Sequence, residues 1–281
     1  MTTQRTALIT GPTSGIGRIT ALKLANKQFD LILVARNADK TAELQREIGS
    51  RVSTWFIECD LSSLASVREA VKTIREKFQK IDVHINNAGL ILDHEEFSPD
   101  GLEKTFAVNH VAHFLLTTEL LDLIKAGTRP RIIHLSSEAH RAARFQIDQL
   151  VKPDKYSGFR TYANSKLANI LFSNELAERL LPTGISSNAL HPGGVATNFA
   201  GEVSGLYKLA MWLARPFFIS PEEGARTTLF LASSPKVEGI TGKYFSDLKI
   251  KKPNTEAQSS FLAKKLWALS EELVRDFRVK T

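Results

Sequence analysis

Cysteine is almost missing from this chain of 281 residues, Cys59 being the single one. One thiol can build neither an internal disulfide nor a multi-thiolate metal site, so disulfide scaffolds and zinc fingers are excluded, no metal site is expected, and a reducing, cytoplasmic setting is. Cys59 itself reads as a small buried hydrophobe on an apolar strand. Long apolar runs are lacking too. The longest, Leu206 to Ile219, is broken by Lys208, Arg215 and Pro216 and is too short to span a bilayer. Near the N-terminus, Ala7, Leu8 and Ile9 are too few for a signal-peptide core. No Pro/Ser-rich linker, repeat or block of like charge divides the chain, which favours one domain over residues 1–281.

What is present is average for a folded protein: 43% hydrophobic and 24% charged residues, which sets disorder aside. The net charge of +7 suits phosphate ligands, an anionic membrane or plain solubility, and no nucleic-acid partner is expected. Short apolar runs recur at Thr6 to Thr10, Leu31 to Ala35, Val52 to Glu58, Val83 to Asn86, Arg131 to Ser136 and Ser186 to Leu190. Between them Ile16 to Lys27, Asp39 to Ile48, Ser63 to Phe78, Gly101 to Lys125 and Thr161 to Leu181 carry apolar residues at three- and four-residue intervals. Strands alternating with helices predict an α/β fold, a single doubly wound parallel sheet of Rossmann type with helices on both faces.

The first strand runs into Thr10-Gly11-Pro12-Thr13-Ser14-Gly15-Ile16-Gly17 and a helix follows at once. Glycines there allow a tight turn and close approach to phosphates, and the helix start offers unpaired N–H groups. The spacing Gly-x-x-x-Gly-x-Gly departs from the general dinucleotide fingerprint and is no P-loop. An ordinary turn is the alternative. At the end of the second strand, an acidic residue accepts from ribose hydroxyls, whereas a cation meets a 2′-phosphate. Arg36-Asn37 stands there, pointing to NADP(H), with Asp39 and a merely solvated arginine as the competing reading.

Tyr162-Ala163-Asn164-Ser165-Lys166 puts a phenol and an ammonium four residues apart on one helix face. The cation would stabilise a phenolate, bringing a group that normally titrates near pH 10 into use as an acid or base. Ser136 and Ser137 end one strand and Asn86-Asn87-Ala88-Gly89 ends another, where ligands bind in open parallel sheets. With Asn109 and Pro192-Gly193-x-Val195-x-Thr197, these motifs resemble, in order, those of the classical short-chain dehydrogenases/reductases. Gly242-Lys243-Tyr244-Phe245-Ser246-Asp247 and the lysine-rich continuation resemble that family's retinol dehydrogenase branch.

The resemblance implies an NADP-dependent oxidoreductase that interconverts an alcohol with a ketone or aldehyde, on a hydrophobic substrate such as a retinoid or lipid aldehyde. It implies Tyr162 as proton donor or acceptor, Ser137 (or Ser136, one register away) as the group orienting the substrate oxygen, Lys166 on the nicotinamide ribose, and Asn109 holding a relay water. Cofactor contacts are implied at Gly11, Thr13, Ser14, Gly15, Ile16, Gly17, Arg36, Asn37, Asp60, Leu61, Asn87, Ala88, Gly89, Tyr162, Lys166, Pro192, Gly193, Val195 and Thr197. Singly, Asn109, Asp60 and Thr197 also suit turns or caps. Residues 198–220 would form a substrate lid, whose Leu206, Trp212 and Phe218 suit an apolar pocket and whose Lys208 and Arg215 suit peripheral contact with an anionic membrane. Homo-oligomerisation is a family-level expectation only.

Other chemistries find no support. No serine is flanked by glycines as in a hydrolase elbow. His94-Glu95 lacks the second histidine of a zinc motif, and His110 and His113 read, with His94, as helix-face residues. A catalytically idle, nucleotide-responsive interaction protein is the alternative from another class.

Overall fold

A chain of apolar runs must bury both faces of each strand, and β1 (Arg5–Thr10) does so by alternation: Leu8 enters one core while Ala7 and Ile9 enter the other. In the computed structural model, which describes residues 4–193 and 219–279, β2 (Phe29–Ala35), β3 (Thr54–Glu58), β4 (Val83–Asn86), β5 (Arg131–Leu135) and β6 (Ser186–His191) stand where the sequence predicts strands. With β7 (Tyr244–Ser246) and β8 (Lys249–Lys251) they form one sheet in the order β3-β2-β1-β4-β5-β6-β7-β8. All neighbours are parallel except the last pair. The expected parallel sheet thus gains an antiparallel edge. Only Asp247 and Leu248 join β7 to β8, both at positive φ (49° and 61°), and two such residues reverse a chain as a hairpin, leaving no room for a crossover.

Helices α1 (Gly15–Asn26), α2 (Ala38–Ile48) and α7 (Pro221–Ser233) cover one face. The other carries α3 (Leu64–Lys77), α4 (residues 104–119), α6 (Gly158–Leu180) and α8 (Ser260–Val274), with α8 laid on α6. Their starts are capped as the sequence allows: Asn37 accepts from Lys40 N at 2.8 Å and Ser63 from Ser66 N at 3.3 Å, while Ser220 and Glu223 make a reciprocal capping box.

Several sequence boundaries shift, and α6 begins at Gly158, three residues before the expected Thr161. The run expected as one helix over Gly101 to Lys125 begins at Lys104, is π-helical over Ala107–Val111, and breaks at Leu120 before a short α5 (Leu121–Lys125). Residues Gly49–Arg51 form a 3-10 turn, so β3 starts at Thr54 and not at Val52. Cys59 follows β3 directly and is buried, which pushes its thiol up to about 12. Among the described residues no helix is long and apolar enough to cross a membrane.

Candidate active site

Strand order reverses between β1 and β4: from β1 the chain moves outward to β2 and β3, and then returns to β4 on the other side of β1. The loops after these two strands therefore diverge and leave a crevice at their carboxyl ends. Gly11 and Gly15 take positive φ of 63° and 51° in the turn after β1. A Cβ on Gly17 would collide with Gly11 O and stand 2.5 Å from Asn87 Nδ2, so only glycine lets α1 seat against both loops. Ser14 precedes α1 in extended conformation and its hydroxyl makes no capping bond. The first helical bond runs from Arg18 N to Ser14 O at 3.1 Å. The N–H groups of Gly15, Ile16 and Gly17 thus lie ahead of that ladder beside Thr13, a donor set that fits a pyrophosphate.

Around this turn the remaining nucleotide candidates take their places. Arg36 is exposed just beyond β2, and the neighbouring Asn37 spends its side-chain oxygen on the α2 cap. Asp60 Oδ1 accepts from Ser62 N (2.9 Å) and Ser62 Oγ (2.8 Å), and Leu61 is buried. Asn87 Nδ2 donates to Thr10 O at 2.8 Å and Gly11 O at 3.2 Å, and Ala88 lies against Gly11. Gly193, after Pro192, has φ of 97° and closes against Ile219. Val195, Thr197 and the lid segment up to residue 218 lie outside the described residues.

Tyr162 and Lys166 lie on α6 as the spacing requires, with Lys166 Nζ 5.5 Å from the Tyr162 ring centre. Lys166 is buried, donates to Leu135 O at 3.2 Å, and burial lowers its ammonium to about 8. Asn109 occupies the π-helical segment: Oδ1 accepts from Leu90 N at 2.8 Å, and Nδ2 donates to Leu90 O at 3.0 Å and Ser165 Oγ at 2.9 Å. Gly89 is where the groups meet, since a Cβ there would lie 3.1 Å from Asn109 Oδ1 and 3.2 Å from Lys166 Nζ. The two serines also part company. Ser136 is buried and its hydroxyl donates to Lys166 O at 2.7 Å, whereas the hydroxyl of half-buried Ser137 accepts from Ala139 N at 3.2 Å and donates to no acceptor among the described residues.

Sequence reasoning missed the buried polar frame behind these groups. His113 Nδ1 lies 3.1 Å from Asn109 O, and a carbonyl only accepts, so the proton is on Nδ1. His113 Nε2 then accepts from Thr10 Oγ1 at 2.9 Å, and that oxygen receives Asn87 N (2.9 Å) and Ala88 N (3.0 Å). Burial depresses the imidazole to about 3, so it stays neutral. Its i+4 spacing from Asn109 was the available signal. His110 is buried likewise, 2.8 Å from Ser270 Oγ, while His94 lies in a loop between Asp93 and Glu96 and not on a helix. Among the described residues no cluster of three or more His, Cys, Asp or Glu could hold a metal.

Residues 5–205 match the family model for short chain dehydrogenases. Retinol dehydrogenase 14 of Homo sapiens is 39% identical over 96% of this chain and 86% of its own length. A crystal structure of an uncharacterized protein from Mycobacterium Paratuberculosis superposes with a TM-score of 0.78 at 30% identity, over 97% of this chain and 94% of that one. An active-site complex of RhlG with NADP from Pseudomonas aeruginosa superposes with a TM-score of 0.69 at 25% identity, over 86% and 93%.

Proposed function

This chain belongs to the short chain dehydrogenase family, and from that premise we propose that it is an NADP(H)-dependent enzyme acting on a hydrophobic, lipid-like alcohol, ketone or aldehyde. The broader activity, oxidoreduction between CH–OH and C=O groups, is that of the family and of the retinol dehydrogenase relatives. The observation that carries the catalytic reading is the buried Lys166 ammonium, beside the Tyr162 ring and in no ion pair with a described carboxylate. A buried, uncompensated cation is costly and is retained where its charge has work to do.

In this reading Tyr162 Oη gives its proton to a carbonyl oxygen, or takes one from an alcohol, and Ser137 Oγ donates to the same oxygen. Lys166 Nζ holds negative charge on the Tyr162 oxygen and bonds the ribose hydroxyls. Asn109 fixes the loop at Leu90 beside Lys166, the place where a relay water would sit. A bound nicotinamide supplies or accepts the hydride. Exposed Arg36 supports the 2′-phosphorylated cofactor, and the retinol dehydrogenase relatives support an apolar substrate. A lid over residues 198–220 and a cytoplasmic enzyme with peripheral membrane contact belong to the same proposal.

The test is NADPH consumption across aldehydes, ketones and retinoids, on the wild type and on Tyr162→Phe. The variant should bind cofactor normally and lose about 10² to 10⁴ in turnover, the usual contribution of general acid catalysis. Retention of more than about a tenth of wild-type turnover, with chemistry rate-limiting, would overturn the assignment of Tyr162. No turnover of any carbonyl by the wild type would favour the idle, nucleotide-responsive reading.

A further inference from the structure

Behind the catalytic helix, a cavity of about 320 Å³ opens between the segment following β5, the first turn of α4 and the start of α6. Arg160, Thr161 and Asn164 line it from α6. At 3.6 residues per turn, Arg160 and Asn164 point about 160° away from Tyr162 around the helix axis, and Thr161 about 100°. The cavity is therefore separate from the catalytic face.

Its chemistry is that of an anion site. Arg144, Lys155 and Arg160 edge it, and none is in an ion pair among the described residues. Asp154, the one carboxylate in the lining, is taken up by Gln149: its Oδ2 accepts from Gln149 Nε2 at 2.8 Å, and its N–H donates to Gln149 Oε1 at 2.7 Å. Asn164 is only 7% exposed, and its Oδ1 accepts from Arg144 N at 3.0 Å. Its Nδ2 has no partner among the described residues. An amide donor that faces the cavity, with cations around the rim, is matched by a charged acceptor. The rest of the lining is apolar: Phe106, Leu150 and Pro153.

We propose that this cavity binds a small amphiphilic organic anion, with a carboxylate or phosphate head on Arg144, Arg160 and Asn164 Nδ2 and a short apolar body against Phe106, Leu150 and Pro153. The volume is at the small end for ligand pockets, which suits a short-chain acid and excludes a dinucleotide.

Octanoate and octyl phosphate, titrated by calorimetry into the full chain, test the site and tell the two head groups apart, with 1-octanol as the uncharged control. At least one anion should bind one-to-one and more weakly as salt rises, and the control should not compete with it. The Arg144→Glu/Arg160→Glu variant should raise Kd by roughly tenfold or more, the loss expected for hydrogen bonds to charged groups, while Tyr162→Phe leaves Kd unchanged. Lys155→Glu, on an exposed loop position, gives the same direction of change should the double variant fail to fold. Saturable binding by neither anion, equal Kd in wild type and pocket variants, or loss of binding in Tyr162→Phe alone would overturn the proposal. So would sedimentation showing that the pocket substitutions split a dimer without altering anion binding.

Discussion

Arg36 stands exposed at the end of β2 with no carboxylate paired to it among the described residues, so its removal should be felt by the cofactor and little by the fold. Arg36→Ala should weaken NADPH by about 10- to 150-fold, the worth of a hydrogen bond to a charged group, and leave NADH nearly unchanged. Fluorescence titration of both cofactors on both proteins measures this, and equal weakening, or a wild-type preference for NADH, rejects the role given to Arg36. Single residues show best what the sequence could and could not convey. The Tyr162–Lys166 pair was legible because helix periodicity alone puts i and i+4 on one face. The choice between Ser136 and Ser137 was not, since it depends on which hydroxyl meets the Lys166 carbonyl at 2.7 Å, a contact between distant segments.

The elements were legible where their patterns were long. Six strands and the main helices follow from apolar periodicity, but β8 is three exposed residues with no pattern to read, and its direction depends on the two-residue turn before it. The π-helical stretch Ala107–Val111 also escapes periodicity, because one added residue in a turn leaves the apolar face nearly intact. Its consequence is the brace made by His113, which ties α4 to β1 and, through Thr10, to the loop after β4. His113→Phe should remove the imidazole donor to the Asn109 carbonyl and leave the Thr10 hydroxyl only the longer contact to Ile85 O at 3.4 Å as an acceptor, at a cost of about 1 to 3 kcal/mol in urea unfolding, the penalty for one buried polar group left poorly paired. Combined with Thr10→Val, the losses should fall short of additivity by roughly 0.5 to 3 kcal/mol, as for residues sharing one network. Strict additivity would mean that the two side chains act independently and that the brace has no energetic content.

Across the whole molecule the same face of the sheet holds four neutral imidazoles, and these set its response to acid. His84 and His134 project from β4 and β5, and His110 and His113 from α4, all buried. Burial lowers His84 to about 4 and His110 and His113 to about 3, and drives His134 well below its ordinary value. The polar frame accommodates the neutral forms: Asn86 Oδ1 lies 2.9 Å from His84 Nε2, and Asn86 Nδ2 lies 3.2 Å from His134 Nδ1. Unfolded, each ring titrates near 6.5. Between about pH 6.5 and 3 the unfolded chain therefore binds protons that the native chain refuses, so stability is full above that window and falls as pH drops through it. Each ring contributes a slope of about 1.4 kcal/mol per pH unit, and four together about 5, against a typical total stability of roughly 5 to 15 kcal/mol. The protein should accordingly open within about one to three units below pH 6.5, the upper part of that range lying above ordinary carboxylate protonation and the lower part overlapping it. Calorimetric unfolding at pH 5 in buffers of different ionisation enthalpy counts the protons directly: uptake of roughly three to four is expected, and uptake below about one would show that these histidines are already charged in the fold.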